Sequence, residues 1–88
     1  MLENWKELDG KLVRQFVFPD FPSVIKFMSV CVPYIEKLQH HPEWKNIYQH
    51  LEVSLTTHEA ANTITNKDIE LAGIFEHLYK TFNTQQHV

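Results

Sequence analysis

The stretch over residues 36–68 constrains the fold most, because the spacing of apolar residues changes within it. Over residues 23–40, apolar side chains recur every three or four positions, which is the period of an amphipathic helix. Over residues 51–58, apolar and polar side chains alternate, as they do in a strand with one buried face. Pro42 lies between the two and disfavours helical geometry in the residue before it. The sequence therefore predicts a helix that ends near His40 and a strand that follows it.

The residues before this helix predict a hairpin. Two strands, at residues 5–8 and 11–18, flank Asp9-Gly10, a dipeptide typical of tight hairpin turns. Both faces of the second strand carry apolar residues, so neither is plainly the solvent side. In the helix that follows, Asp20 or Ser23 can act as the N-cap. Pro33 predicts a kink over residues 29–33, because proline removes one helix hydrogen bond.

The residues after Pro42 predict a second hairpin and a second helix. A short strand at residues 44–48 precedes the alternating strand, with a turn at Gln49-His50 between them and a loop over residues 59–64 after them. Residues 65–68 have the form of a capping box, with Thr65 as N-cap and an acidic residue three positions later. The helix then continues to about residue 82, and the polar tail at 83–88 is expected to fray.

The element order is therefore β-β-α-β-β-α, in a single domain spanning residues 1–88. Hairpins pair antiparallel, and each helix has one apolar stripe to bury. The sequence predicts an α+β fold, in which a four-stranded antiparallel sheet has both helices packed on one face.

Charge and composition narrow the function. A formal charge of -3 argues against direct binding to nucleic-acid phosphates, and the apolar runs are shorter than the roughly 20 residues of a membrane span. The first eleven residues are charged and lack the apolar core of a secretory signal. The single cysteine, Cys31, lies on the apolar stripe of the first helix and is expected to be a buried, inert thiol. These features favour a cytoplasmic protein.

Three histidines carry the candidate chemistry: the adjacent pair His40-His41 at the end of a helix, and His58 at the end of a strand. An unperturbed imidazole titrates at about pH 6.5, so it can both accept and donate a proton near neutrality. Alternatives remain open at this point. Cationic side chains favour helix C-termini, and three imidazoles could bind zinc, although the spacing fits zinc patterns poorly.

Several neighbours of these histidines also have two interpretations. Glu36 lies one turn before His40 and could orient that imidazole or be solvated. Asp68 completes the capping box, which needs no catalytic role. Trp44 and Tyr48 fit either a core or a planar wall for a ring-shaped ligand.

The spacing of Glu36, His40-His41-Pro42, Tyr48, His58 and Asp68 resembles the signature of the pterin-4a-carbinolamine dehydratases. The segments EKLQHHPEW and SLTTHE are especially similar to sequences of that family. The resemblance covers nearly the whole chain. Two of its departures from the family pattern fall near these histidines. Gln39 stands where relatives often have an acid, and the loop containing Ala60-Ala61-Asn62 lacks the usual glycine and is one residue longer.

The resemblance implies an enzyme that dehydrates 4a-hydroxytetrahydropterin to quinonoid dihydropterin by acid–base catalysis, in the recycling of tetrahydrobiopterin, without metal or cofactor. It also implies the site residues. The catalytic histidines would be His40, His41 and His58. The pterin-binding positions would be these three histidines together with Gln39, Thr56, Thr57 and Glu59. Glu36 and Asp68 would be supporting acids. Trp5 would line the site. The family forms dimers or tetramers. The alternative is a dimerisation or transcriptional coactivator module with an idle site.

Overall fold

The computed structural model describes residues 2–86, with side chains as far as Asn83. The elements are the strands β1 (Lys6–Leu8), β2 (Lys11–Val17), β3 (Glu43–Ile47) and β4 (His50–Leu55), and the helices α1 (Phe21–Leu38) and α2 (Asn66–Gln86). The four strands form one antiparallel sheet in the order β1-β2-β4-β3. The predicted α+β fold is confirmed.

The first hairpin turns at Asp9 and Gly10, which have φ values of 49° and 75°. Two successive positive φ values suit a tight turn that follows the twist of the strands it joins. β1 begins at Lys6, one residue later than predicted, because Trp5 has left the sheet and packs in the core.

Aromatic side chains from three elements form the centre of the core. Phe16 of β2 is completely buried, and its ring centroid lies 5.6 Å from that of Phe27 in α1 and 6.2 Å from that of Phe75 in α2. Both helices therefore cover the same face of the sheet. The side chains on the opposite face of β2 are half-buried or exposed.

Helix α1 begins at Phe21, two residues earlier than predicted, because the carboxylate of Asp20 caps it. Oδ1 of Asp20 accepts a hydrogen bond from the backbone N–H of Ser23 at 2.9 Å. The helix continues without interruption through Pro33 to Leu38. Cys31 is buried on its inner side, as expected.

The later elements differ from the prediction mainly at their ends. Tyr48 adopts a left-handed φ of 51° in the turn, so β3 covers Glu43–Ile47 and ends one residue early. β4 ends at Leu55, and His58–Ala60 forms a short 3-10 helix. α2 extends to Gln86, beyond the expected end at Phe82, because no glycine or proline stops it. The part of the predicted frayed tail at residues 87–88 lies outside the described residues.

Candidate active site

The end of α1 separates the two adjacent histidines. Gln39 adopts a left-handed conformation with φ 54°, and its backbone N–H and side-chain amide both donate to the carbonyl oxygen of Glu36, at 3.2 and 2.8 Å. Such a residue is a common way to end a helix. It changes the direction of the chain, so that His40 is buried with 7% exposure while His41 is exposed.

His40 is held by a carboxylate from the start of α2. Its Nε2 lies 2.6 Å from Oδ1 of Asp68, a residue with no solvent exposure. The hydroxyl of Thr57 donates to Oδ2 of Asp68 at 2.7 Å, and the backbone N–H of Thr65 donates to the same oxygen at 2.9 Å. This last bond is the carboxylate half of the predicted capping box, and the Thr65 hydroxyl caps the helix by accepting from the Lys67 N–H, one position before the N3 residue of the standard motif. One carboxylate therefore caps α2 and orients His40.

These contacts also set the charge of Asp68. Burial is the largest single influence on its pKa and raises it, but the hydrogen bonds from His40, Thr65 and Thr57, with the charge of His40, bring the pKa below the usual value of 3.8. Asp68 is therefore an anion near neutral pH. Because a carboxylate only accepts hydrogen bonds, Nε2 of His40 must carry the proton in this contact.

Glu36 pairs with the other histidine of the pair. Its Oε2 lies 2.7 Å from Nε2 of His41, and both side chains are exposed. Of the two interpretations of Glu36, the orientation of His40 does not apply, because the left-handed Gln39 breaks the helical phase before His40 is reached.

His58 contacts a residue of the following loop. Its Nδ1 lies 2.7 Å from Oδ1 of Asn62, four residues later, where the chain leaves the 3-10 helix. Asn62 and Ala61 both have a φ of 59°, a left-handed conformation that asparagine tolerates better than most residues. Sequence reasoning did not include Asn62 in the site, although it occupies the loop that departs from the family pattern.

The three imidazoles line one cavity of about 650 Å³. This volume lies within the range of roughly 300–1,000 Å³ typical of small-molecule sites. The cavity lies beside the C-terminal end of β4, on the face of the sheet that the helices leave open. Of the predicted residues, Gln39, Thr56 and Glu59 also line it. The remaining lining residues were not predicted, and they are Lys11, Pro42, Glu43, Ser54 and Asn62.

Two of these unpredicted residues connect opposite sides of the cavity. Nζ of Lys11 lies 3.1 Å from Oε1 of Glu43, and both side chains are substantially exposed. Lys11 begins β2 and Glu43 begins β3, and β4 lies between these two strands in the sheet, so the ion pair passes over β4. The alternation of β4 could have indicated Ser54, since it shares a face with Thr56.

Four of the predicted site residues do not line the cavity. Thr57 and Asp68 are buried behind His40, and Glu36 contacts His41 from outside. Trp5 lies in the core, where its ring contacts Phe16 and Phe75 and its indole N–H donates to Oε2 of Glu76 at 2.8 Å. Trp5, which was expected to line the site, therefore does not line this cavity, because tertiary packing turns the residue under the helices.

The two aromatic residues with open interpretations also lie away from the cavity. Trp44 is half-buried against Phe75, with ring centroids 6.2 Å apart, and Tyr48 is 66% exposed in the β3–β4 turn. Between residues 2 and 86, no three His, Cys, Asp or Glu side chains converge in a way that could hold a metal ion. Over the same range, neither helix is long and apolar enough to cross a membrane.

Each imidazole at the cavity has one nitrogen in a hydrogen bond and a second nitrogen without a protein partner in the described part of the chain. Among the described residues, no buried side-chain nitrogen or oxygen lacks a partner, so the second nitrogen of His40 must reach solvent although the ring is largely buried. The arrangement can therefore accept or donate protons at up to three points on one ligand.

Comparisons with known proteins show which family the chain resembles. A protein of Rhodopseudomonas palustris, provisionally named a pterin-4-alpha-carbinolamine dehydratase, is 44% identical over 74 residues, covering 82% of this chain and 72% of the relative. A Brucella ovis protein with the same provisional name is 42% identical over 73 residues, covering 81% and 74% of the two chains.

Two solved structures are also similar. The crystal structure of a transcriptional coactivator/pterin dehydratase from Brucella melitensis superposes with a TM-score of 0.81 at 37% identity, covering 88% of this chain and 83% of that one. A pterin dehydratase-like protein identified as a RuBisCO assembly factor in the alpha-carboxysome has a TM-score of 0.73 at 15% identity, covering 88% and 90%, and shares the fold. The sequence profile described as Pterin 4 alpha carbinolamine dehydratase matches residues 1–78. This chain belongs to the pterin-4-alpha-carbinolamine dehydratase family.

Proposed function

We propose that this protein dehydrates 4a-hydroxytetrahydropterin, with 4a-hydroxytetrahydrobiopterin as the reference substrate, to quinonoid dihydropterin and water. The product can be reduced again to tetrahydropterin, so the reaction serves tetrahydrobiopterin recycling. Family membership supports the reaction class. The observation that carries the proposal is the meeting of three imidazoles at one cavity, each with one nitrogen held and the other without a protein partner.

The reaction needs one proton removed and one supplied. The bond between C4a and the hydroxyl oxygen breaks, and the N5–H bond breaks so that a double bond forms between C4a and N5. A general acid protonates the departing hydroxyl group to give water, while a general base takes the proton from N5. The steps move only protons and one hydroxyl group, so the reaction as proposed calls for no metal or cofactor.

We assign the proton transfers to His40 and His58, and binding or a shared proton role to His41. The imidazole of His40 bonds a buried carboxylate, whereas the imidazole of His58 bonds a loop amide. Two such different environments suit one histidine as general acid and the other as general base. Gln39, Thr56 and Glu59 supply polar contacts to the pterin. Thr57 acts indirectly, since its hydroxyl donates to Asp68 inside the protein.

The test is a stopped-flow measurement of carbinolamine dehydration with and without the purified chain. The proposal predicts that the chain accelerates dehydration above the spontaneous rate in proportion to its concentration. His77→Ala is a matched control, because His77 is exposed on α2 and does not line the cavity. This variant should be as fast as the wild type. A wild-type chain that leaves the spontaneous rate unchanged refutes the proposed function.

A second candidate is a dimerisation or transcriptional coactivator module with an idle site. The specific observation in its favour is a set of exposed apolar side chains on the outside of α1, including Phe21, Ile25 and Val32. This function predicts that a protein partner binds equally well to the wild type and to His58→Ala. The two functions can coexist, because the apolar residues do not line the cavity.

The same proposal includes a homodimer or homotetramer in the cytoplasm. Exposed apolar residues support association between copies, and the single buried thiol suits a reducing compartment. Light scattering coupled to size-exclusion chromatography would measure the assembly, and a monomer at micromolar concentration would refute this part.

A further inference from the structure

We infer that Asn62 is a positioning residue that holds His58 in the tautomer protonated at Nδ1, so that Nε2 is the nitrogen that exchanges protons in the cavity. The catalytic half of this inference rests on the proposed function, whereas the tautomer can be measured without it. The side-chain oxygen of Asn62 accepts the bond from Nδ1 at 2.7 Å. The tautomer of a neutral imidazole is set by the hydrogen bond that one of its nitrogens makes.

The backbone around Asn62 is fixed by hydrogen bonds on both sides. Its own N–H donates to the carbonyl oxygen of Thr57 at 3.1 Å, and the N–H of Ala61 donates to the carbonyl oxygen of His58 at the same distance. The N–H of Thr57 in turn donates to the carbonyl oxygen of Thr63 at 3.0 Å. The backbone therefore fixes where the side-chain amide of Asn62 lies relative to the imidazole of His58. Little conformational entropy is lost when the two side chains form their hydrogen bond.

The turn of the first hairpin braces this loop from behind. A Cβ atom added at Gly10 would lie 2.5 Å from the backbone oxygen of Asn62, so the two backbones are in close contact. The carbonyl oxygen of Gly10 also accepts a hydrogen bond from the hydroxyl of Thr56 at 2.9 Å. Only a residue without a side chain fits here, which links the hairpin turn to the position of the Asn62 loop.

The contact distinguishes His58 from the other two imidazoles. His40 and His41 each use Nε2 to bond a carboxylate, which leaves Nδ1 as the nitrogen without a partner. His58 uses Nδ1, which leaves Nε2, the ring nitrogen farther from the backbone. The partner of His58 is also an uncharged amide, so it orients the ring without adding a negative charge beside it. The nitrogen that His58 presents to the cavity is therefore the one farther from the backbone.

The test is long-range proton–nitrogen NMR of ¹⁵N-labelled protein at a pH at which the histidines are neutral. The wild type should show His58 protonated at Nδ1. Asn62→Gly removes the acceptor but suits the left-handed backbone, and should give a mixture or the Nε2-protonated form. Ala61→Gly makes the same backbone change without touching the imidazole, and should resemble the wild type. Asn62→Asp keeps an acceptor oxygen and should restore the Nδ1-protonated form.

Dehydration kinetics then test the catalytic half. Asn62→Gly should lower kcat about tenfold with a smaller change in KM, the lower end of the effect of removing a histidine's hydrogen-bond partner at metal sites. Asn62→Asp should recover part of the rate. Wild-type His58 protonated at Nε2, an unchanged spectrum in Asn62→Gly, or an altered spectrum with a wild-type kcat would each overturn the inference. If the wild type does not accelerate dehydration at all, the proposed function fails, and the spectra still decide whether Asn62 sets the tautomer.

Discussion

Asp68 accepts a hydrogen bond from Nε2 of His40 at 2.6 Å, although the two residues are 28 positions apart in the sequence. The Asp68 side chain has no solvent exposure. The contact ties the turn after α1 to the first turn of α2. The same carboxylate accepts from Thr57 and from the N-cap of the helix it starts. One residue therefore links the stability of α2 to the orientation of an imidazole at the cavity.

Replacing this carboxylate should be costly for folding. Asp68→Asn keeps the shape of the side chain but removes the charge and one acceptor oxygen, so at least one of its three donors loses its acceptor. We expect the free energy of unfolding at neutral pH to fall by about 2 kcal/mol, the size of one hydrogen bond to a charged group. Urea unfolding of the two proteins would measure the difference.

The lowered pKa of Asp68 sets the sign of the pH dependence. Because the folded state binds this proton less tightly than the unfolded chain, the carboxylate stabilises the fold fully above the usual pKa of 3.8. That stabilisation is lost as the pH falls through the lower folded-state pKa. We expect the gap in unfolding free energy between wild type and Asp68→Asn to shrink in this acid range. A gap that stays constant as the pH is lowered would contradict the assigned shift.

Trp5 should matter for stability and not for dehydration. Trp5→Phe removes the hydrogen bond to Glu76 and part of a buried ring, so we expect a loss of about 1–2 kcal/mol in unfolding free energy with an unchanged kcat. Trp44→Phe is the control, since Trp44 is half-buried and its indole nitrogen has no protein partner among the described residues. It should cost less. A selective loss of kcat in Trp5→Phe, with stability intact, would place Trp5 in the site after all.

The Cys31 thiol should be inert in the folded protein. Burial raises its pKa to about 12, so almost no reactive thiolate is present near neutral pH, and the side chain is only 1% exposed. A disulfide reagent such as Ellman's reagent should react slowly with the native protein and fully within minutes in denaturant. Rapid stoichiometric reaction under native conditions would contradict the burial of Cys31.

Periodicity predicted the fold well because each pattern reports a local constraint. The alternation over residues 51–57 places Leu51, Val53, Leu55 and Thr57 inward, and all four are buried. The capping box at Thr65 is also a local signal and is present. Such signals fix which face of an element is buried, and they were sufficient for the element order.

The site was harder to predict, because its contacts depend on single residues with unusual backbone conformations. Gln39 adopts a left-handed conformation that transfers Glu36 from His40 to His41, and helical spacing cannot anticipate that change. Asn62 also has a positive φ. The only sequence feature that pointed to Asn62 was that its loop departs from the family pattern. The resemblance to the family brought the three histidines together, and the position of Trp5 required the tertiary packing.

His58 is the catalytic candidate best suited to a direct test, because its side chain is exposed and lies outside the core, so we expect its removal to leave the fold intact. The decisive measurement is kcat for carbinolamine dehydration by His58→Ala, with the melting temperature measured on the same preparation and His77→Ala as the control. We predict a fall in kcat of about 10²- to 10⁴-fold, the usual contribution of a general acid or base, with an unchanged melting temperature. A His58→Ala protein that dehydrates the carbinolamine as fast as the wild type would contradict the central claim.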